Sequence, residues 1–343
     1  MSYEKYLIFC AIIFNNNMFG VTMPSAKHSL SIIVLPKLAG YHDIDPQLKN
    51  WLARSNLSYD KSSASIINRI LYYFNIKEQL YNVGALRFYG ETKKKPSKWI
   101  AAADPVFVQA HLNRMRIKPI NRTQEDMENM VRAYNEINQN LASHYSIELT
   151  TNGITGYLQS EIPIPVSMHS PSEISNLAIN EVLPKNDKSN IYGQLINEIQ
   201  MIIHNSDFID SNLMNSLWVW GGGQLNSLTT HKLPTLYAND PIIKGYWYLS
   251  KSNVSSFNKS LEEFCSQERG AFVAVSPDNQ VSEISNEEQL RISLSAIHQY
   301  QLKFKPERLI LIFRDGWTAD ISTFHKYRMW RNSDVIKKIE RNL

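Results

Sequence analysis

Residues 215–223, Asn-Ser-Leu-Trp-Val-Trp-Gly-Gly-Gly, carry an apolar stretch directly into three glycines. The stretch is too short for a helix and mixes β-branched and aromatic residues, the profile of a strand buried on both faces. Four more runs share that profile: 29–35, ended by Pro36 and Gly40; 99–103, ended by Asp104-Pro105; 271–275; and 309–313. Such strands need helices on both faces of their sheet, and the segments between them supply helical patterns. Residues 46–54 and 62–74 read as helices, the second behind serine caps. Residues 191–205 put Leu195, Ile196, Ile199, Ile202 and Ile203 on one face, and 286–302 is helical between the last two strands. The expected fold class is α/β.

Residues 105–190 break this alternation. They hold a helix over 123–141 with a Thr-x-x-Asp start, then Pro163, Pro165, Pro171 and Pro184 among short apolar pieces. Proline cannot donate to a sheet ladder, so the segment reads as an α+β cap inserted into a core made of 29–104 and 191–343. Residues 1–28 stand apart as an extension. Lys5 and the apolar run 6–14 fit a secretory signal or anchor, but also a disordered extension or sequence upstream of a start at Met23.

Two distant cysteines, Cys10 and Cys265, make no disulfide framework and no cysteine zinc site, so a cytoplasmic location is expected. A net charge of +4 over 343 residues, without an arginine-rich run, does not point to nucleic acid. No membrane association is expected beyond the N-terminal segment. Residues 324–331 mix aromatic and basic side chains; a terminal segment of this type is expected to bury its aromatics and solvate its charges, with stacking on bases or binding of an anionic ligand as the other reading. There is no phosphate-binding P-loop, dinucleotide fingerprint, nucleophile elbow or His-Glu-x-x-His motif.

What remains is a set of polar groups placed at strand ends. Gly221, Gly222 and Gly223 could bring backbone N–H groups close to a phosphate or carboxylate, or form a turn with no ligand. Asp104, fixed in direction by Pro105, reads as a carboxylate held at a strand end or as an ordinary Asp-Pro turn. Asn197 and Glu198 lie beside the apolar face of the 191–205 helix, where one could enter a cleft or both could be solvated. Lys244, in a turn after Asp240-Pro241, offers a cation to an anionic ligand or is simply a surface lysine.

Taken in order, Leu35-Pro36, 83–87 (Val-Gly-Ala-Leu-Arg), 99–106 ending in Ala-Asp-Pro-Val, 195–201 (Leu-Ile-Asn-Glu-Ile-Gln-Met), 215–223, and Asp240-Pro241 through Lys244-Gly245 resemble the bacterial RpfE-type regulatory proteins, which are cofactor-independent phosphoglycerate mutase-like. The resemblance runs from about residue 29 to 331, and Asn-Ser-Leu-Trp-x-Trp-Gly-Gly-Gly is its most specific part. That family in turn is similar to the archaeal-type cofactor-independent phosphoglycerate mutases of the alkaline phosphatase superfamily. The resemblance implies a mixed sheet with helices on both faces and an inserted cap. It also implies catalysis by two divalent metals, manganese or magnesium, and a Ser or Thr that carries the phosphoryl group.

The chain departs from that pattern at the metal ligands. The mutases carry Asp-Gly after the first strand, where this chain has Leu35-Pro36-Lys37-Leu38, and Asp-His near the end, where it has Arg314-Asp315-Gly316-Trp317. A histidine is expected soon after Asp-Pro-Val, but Phe107 follows and His111 comes later. The expectation is a phosphoglycerate mutase-like protein with a degraded metal site, no assigned metal or cofactor, and a regulatory role. Its ligand would be small and phosphorylated or carboxylated, lined by Asp104, Asn197, Glu198, Asn215, Gly221, Gly222, Gly223 and Lys244. The alternatives are an active metal-dependent mutase or phosphatase drawing on Asp43, Asp45, Asp104, His111 and Asp315, and a protein-interaction module built on the C-terminus.

Overall fold

Alternate residues of β1 (Leu30–Leu35) enter two separate cores, Ile33 and Leu35 one and Ile32 and Val34 the other. A strand with no face left for water must lie inside a sheet covered on both sides. The computed structural model describes residues 30–331 apart from 39–44, 61–64, 77–79, 81, 112–113, 121–125, 142–145, 175–178, 207–213, 226–231, 269 and 278–285. The 1–28 extension, Asp43 and Thr123 lie outside the described residues.

After β1 come α1 (Pro46–Arg54), β2 (Asn56–Tyr59), α2 (Ile66–Tyr72) and α3 (Val83–Thr92). The middle of the chain forms β3 (Trp99–His111), β4 (Arg114–Pro119), α4 (Asp126–Leu141), β5 (Ile147–Thr151) and β6 (Gly156–Ser160). Two single-turn helices, α5 (Pro171–Ile174) and α6 (Ile179–Val182), precede α7 (Ile191–Asn205) and β7 (Ser216–Gly223). The last part holds β8 (Thr235–Tyr237), α8 (Pro241–Leu249), β9 (Val254–Ser255), α9 (Leu261–Gln267) and β10 (Phe272–Val275). It ends with α10 (Asn286–Phe304), β11 (Arg308–Phe313), β12 (Trp317–Ser322) and a 3-10 turn, Thr323–Tyr327.

The first sheet has the order β2-β12-β11-β1-β10-β8-β9. Strands β11, β1, β10, β8 and β9 are parallel to one another, and β12 is antiparallel to both of its neighbours, so the sheet is mixed. On one face Leu48 and Leu52 of α1, Leu261 and Phe264 of α9, and Leu290, Leu294 and Ile297 of α10 pack on it. On the other lie Ile67, Ile70 and Leu71 of α2, Ala85 and Leu86 of α3, and Ile243, Tyr246 and Trp247 of α8. The chain is therefore α/β, with helices on both faces of a mixed sheet, as expected.

The second sheet is antiparallel throughout, in the order β4-β3-β6-β5 with β7 paired to β3. Its far face is covered by Met130, Tyr134, Ile137 and Leu141 of α4 and by Leu195, Ile199 and Ile203 of α7. Ile100 and Tyr157 from its near side share a core with α3 and α8. The strands of this sheet come from residues 99–223. That span is wider than the expected 105–190: the run at 99–103 pairs with β6 and β7 instead of joining the parallel sheet, and β7 follows it.

Two glycines let α3 and α8 touch. A Cβ on Gly90 would lie 1.8 Å from the Pro241 carbonyl oxygen, and one on Gly245 would lie 1.9 Å from that of Leu86. Backbone cannot swing aside as a side chain can. Gly245→Val is therefore expected to destabilise the chain by about 3 kcal/mol or more, measured as a lowered denaturant midpoint; a loss under about 1 kcal/mol would mean the helices are not in this contact.

Candidate functional site

Asp104 does not mark a strand end. It lies inside β3, buried, and its carboxylate grips Arg87 of α3 with two bonds, Nη1 to Oδ2 at 2.8 Å and Nη2 to Oδ1 at 3.0 Å. Trp220 Nε1 donates to the same Oδ2 at 2.8 Å, and Arg87 Nη2 also donates to the Gly156 carbonyl at 2.9 Å. The guanidinium stands over the Tyr157 ring at 4.9 Å and the Trp220 ring at 5.4 Å. Burial by itself would lower the Arg87 pKa, but the adjoining Asp104 carboxylate outweighs it, and the group is held above its ordinary value. Two groups so fully used by one another are not presented to a ligand. Arg87 was the missing partner, and the signal for it was a single charge among Val83, Gly84, Ala85 and Leu86.

The glycines also serve packing. The strand continues through them to Gly223, and Gly221 takes φ +63° while donating its N–H to the Ser167 carbonyl at 2.8 Å. A Cβ on Gly222 would meet the Trp99 ring at 2.1 Å, and one on Gly223 would meet the Asn82 side chain at 2.5 Å. β7 thus approaches Trp99 and the start of α3 closely. Asn215 acts as a ladder residue: its Oδ1 accepts from Val108 N at 2.7 Å and its Nδ2 donates to Val108 O at 2.9 Å. Asn197 is exposed and Glu198 half-buried on α7. Lys244 is half-buried inside α8, not in a turn, four residues after the Asp240 cap whose Oδ1 accepts from Ile242 and Ile243. These residues are spread over β3, β7, α7 and α8.

A different place is picked out by the topology. The helix following β8, α8, packs on one face of the first sheet, and the helix following β10, α10, packs on the other. Adjacent strands whose connections leave to opposite faces open a crevice at their carboxyl ends, the usual ligand position in such sheets. On the β1 side of β10, the ends of β1, β10 and β11 are tied together. Ser276 N donates to Val34 O at 3.2 Å, Arg314 N to Leu35 O at 3.2 Å, and Arg314 Nη2 to Ser276 O at 2.8 Å. Asp315 Oδ2 accepts from Leu38 N at 2.8 Å. Arg69, reaching up from α2, donates to Phe313 O at 2.6 Å and to Thr318 Oγ1 at 2.7 Å, and burial lowers its pKa against the pull of Asp60. Arg69 is thus spent on the turn between β11 and β12, whereas the Arg314 guanidinium reaches across to the chain just after β10.

Among the described residues, the proposed metal ligands Asp45, Asp104 and Asp315 each hold a separate partner. Asp45 Oδ1 accepts from Gln47 N at the start of α1, Asp104 is paired with Arg87 in the other sheet, and Asp315 holds Leu38. Asp43 and the His111 side chain lie outside the described residues. Among the described residues no group of three or more His, Cys, Asp or Glu could hold a metal ion. The described residues alone do not supply a two-metal centre, which needs several carboxylates and imidazoles around two ions roughly 4 Å apart. Cys265 is buried, and burial pushes its thiol up to about 12.

No family model matches the chain, and no curated protein matches it in sequence. Among solved structures, it is similar in chain course to a cofactor-independent phosphoglycerate mutase from Thermoplasma acidophilum DSM 1728, with 12% identity and a TM-score of 0.45 over 85% of this chain and 89% of that one. It is similar to the PH0037 protein from Pyrococcus horikoshii with 11% identity and a TM-score of 0.49 over 86% and 88%. Likeness at this level assigns no residue a role.

Two outcomes follow from the geometry. Asp104→Ala strands the Arg87 charge and is expected to cost about 3–5 kcal/mol, while Arg87→Met with Asp104→Leu recovers most of that in a denaturant titration; equal losses would contradict the pairing. The raised Cys265 pKa means the folded thiol stays protonated while the unfolded one ionises above its ordinary value of 9.0. Its contribution to stability is therefore complete below about pH 9 and falls away toward pH 12. Alkylation of the native chain at pH 8 should be far slower than in denaturant.

Proposed function

We propose that the chain is an RpfE-type, phosphoglycerate mutase-like protein that binds a small phosphorylated or carboxylated ligand and acts in regulation instead of turnover. The observation that carries this reading is the Arg314 side chain at the carboxyl edge of the first sheet, where its Nη2 donates to Ser276 O beyond β10 and its backbone N donates to Leu35 O at the end of β1. A planar guanidinium offers a fork of N–H donors matched to phosphate and carboxylate oxygens. Membership of the alkaline phosphatase superfamily belongs to the same proposal, supported by the motif order along the chain and by a mixed sheet with helices on both faces. The expected anion position moves from Gly221–Gly223, whose surroundings are filled by Trp99, Asn82 and Ser167, to this edge.

Calorimetric titration of the full chain with 3-phosphoglycerate and with inorganic phosphate is the test. Binding is expected at millimolar concentration or below, and Arg314→Met should weaken it about tenfold, roughly 1.4 kcal/mol. No heat at millimolar ligand would overturn the binding claim. Interconversion of phosphoglycerates with added manganese, matched by stoichiometric metal, would overturn the regulatory claim in favour of the mutase.

A further inference from the structure

The aromatic and basic segment after β12 was expected to bury its rings, and it does the reverse. Phe324 is 77% exposed, Tyr327 65%, Met329 78% and Trp330 77%, while the buried side chain of the 3-10 turn is His325. This is not a frayed end. Ser322 N donates to His325 Nδ1 at 3.1 Å in a reciprocal cap, Arg328 Nη1 donates to Asn56 Oδ1 at 2.6 Å, and Arg331 Nη1 donates to Ser55 O at 2.8 Å. The four apolar side chains are thus held outward on a turn fastened to α1 and β2. Exposed apolar groups gathered this closely on a fixed scaffold mark a contact surface.

The charge around them says what kind. Lys326, Arg328 and Arg331 stand among the rings, and residues 323–331 contain no Asp or Glu. Over 323–343 there are six Lys or Arg against two Asp or Glu, an excess equal to the +4 of the entire chain. The rest of the sequence is balanced in formal charge, and three of those six cations, Lys326, Arg328 and Arg331, fall within the described turn. Phe, Tyr and Trp with Met, ringed by cations, suit the boundary where hydrocarbon meets anionic headgroups: rings enter the interface and cations stay with the phosphates. Methionine has no flat face for stacking on bases, and projecting side chains on a turn do not form a groove for a peptide. No helix among the described residues is long and apolar enough to cross a membrane, and an interfacial contact needs none.

We propose that this C-terminal turn docks the protein on an anionic lipid surface, with Phe324, Met329 and Trp330 entering the interface and Lys326 among the cations that select for negative charge. The test is flotation of the full chain with vesicles of phosphatidylcholine alone and of phosphatidylcholine mixed with phosphatidylglycerol. The protein should float with the anionic vesicles only, and less as salt is raised. Phe324→Ser with Trp330→Ser should lower partitioning about tenfold or more without changing the melting temperature. Lys326→Glu, at an exposed side chain that stacks over Tyr327, should lower it at least about fivefold. Absence of flotation with anionic vesicles, equal flotation with neutral ones, or flotation unchanged in both variants would overturn the proposal. So would retention by a single-stranded oligonucleotide, or self-association in sedimentation that the double variant abolishes, if vesicle binding is lacking.

Discussion

A buried guanidinium between two sheets is the constraint around which this molecule is arranged. Taking the Arg87 charge out of water is costly, and a lone cation there would unfold its surroundings. Asp104 offsets that with two bonds, Gly156 adds a carbonyl, and the Tyr157 and Trp220 rings present their negative faces. The partners come from β3, β6 and β7, so satisfying one side chain fixes three strands against α3. Because α3 also meets α8 through Gly90 and Gly245, the same contact fixes the second sheet relative to the first.

This arrangement explains why the residues that look functional in the chain serve packing instead. Asp104 neutralises Arg87, Asn215 extends a ladder, and the three glycines make room for Trp99, Asn82 and the start of α3. An aspartate or glycine needed for close packing has the same local spelling as one needed for a ligand. At the carboxyl edge of the first sheet, Arg69 from α2 holds the turn between β11 and β12, and Arg314 reaches from that turn to the chain just after β10.

The legible parts were those with local causes. The helix at 191–205 matches its apolar periodicity to the residue, 46–54 is a helix opened by an Asp cap and Pro46, and the runs ending at Leu35, Val275 and Phe313 are strands of the first sheet. The run at 99–103 was also a strand, but its apolar spelling did not reveal that it continues through Asp104-Pro105 for thirteen residues or that it pairs antiparallel. Strand direction depends on partners more than fifty residues away, and those partners leave no mark on the run itself.

The sequence by itself determined the element types, the α/β class and the concentration of net charge at the C-terminus, because propensity, periodicity and charge are properties of neighbouring residues. Only the tertiary structure decided which strands share a sheet, that Arg87 meets Asp104, that Arg314 reaches Ser276 beyond β10, and that Phe324, Met329 and Trp330 face outward. Each of those depends on where distant segments are brought together, and a buried charge or an exposed ring is defined by that environment and not by the residues beside it in the chain.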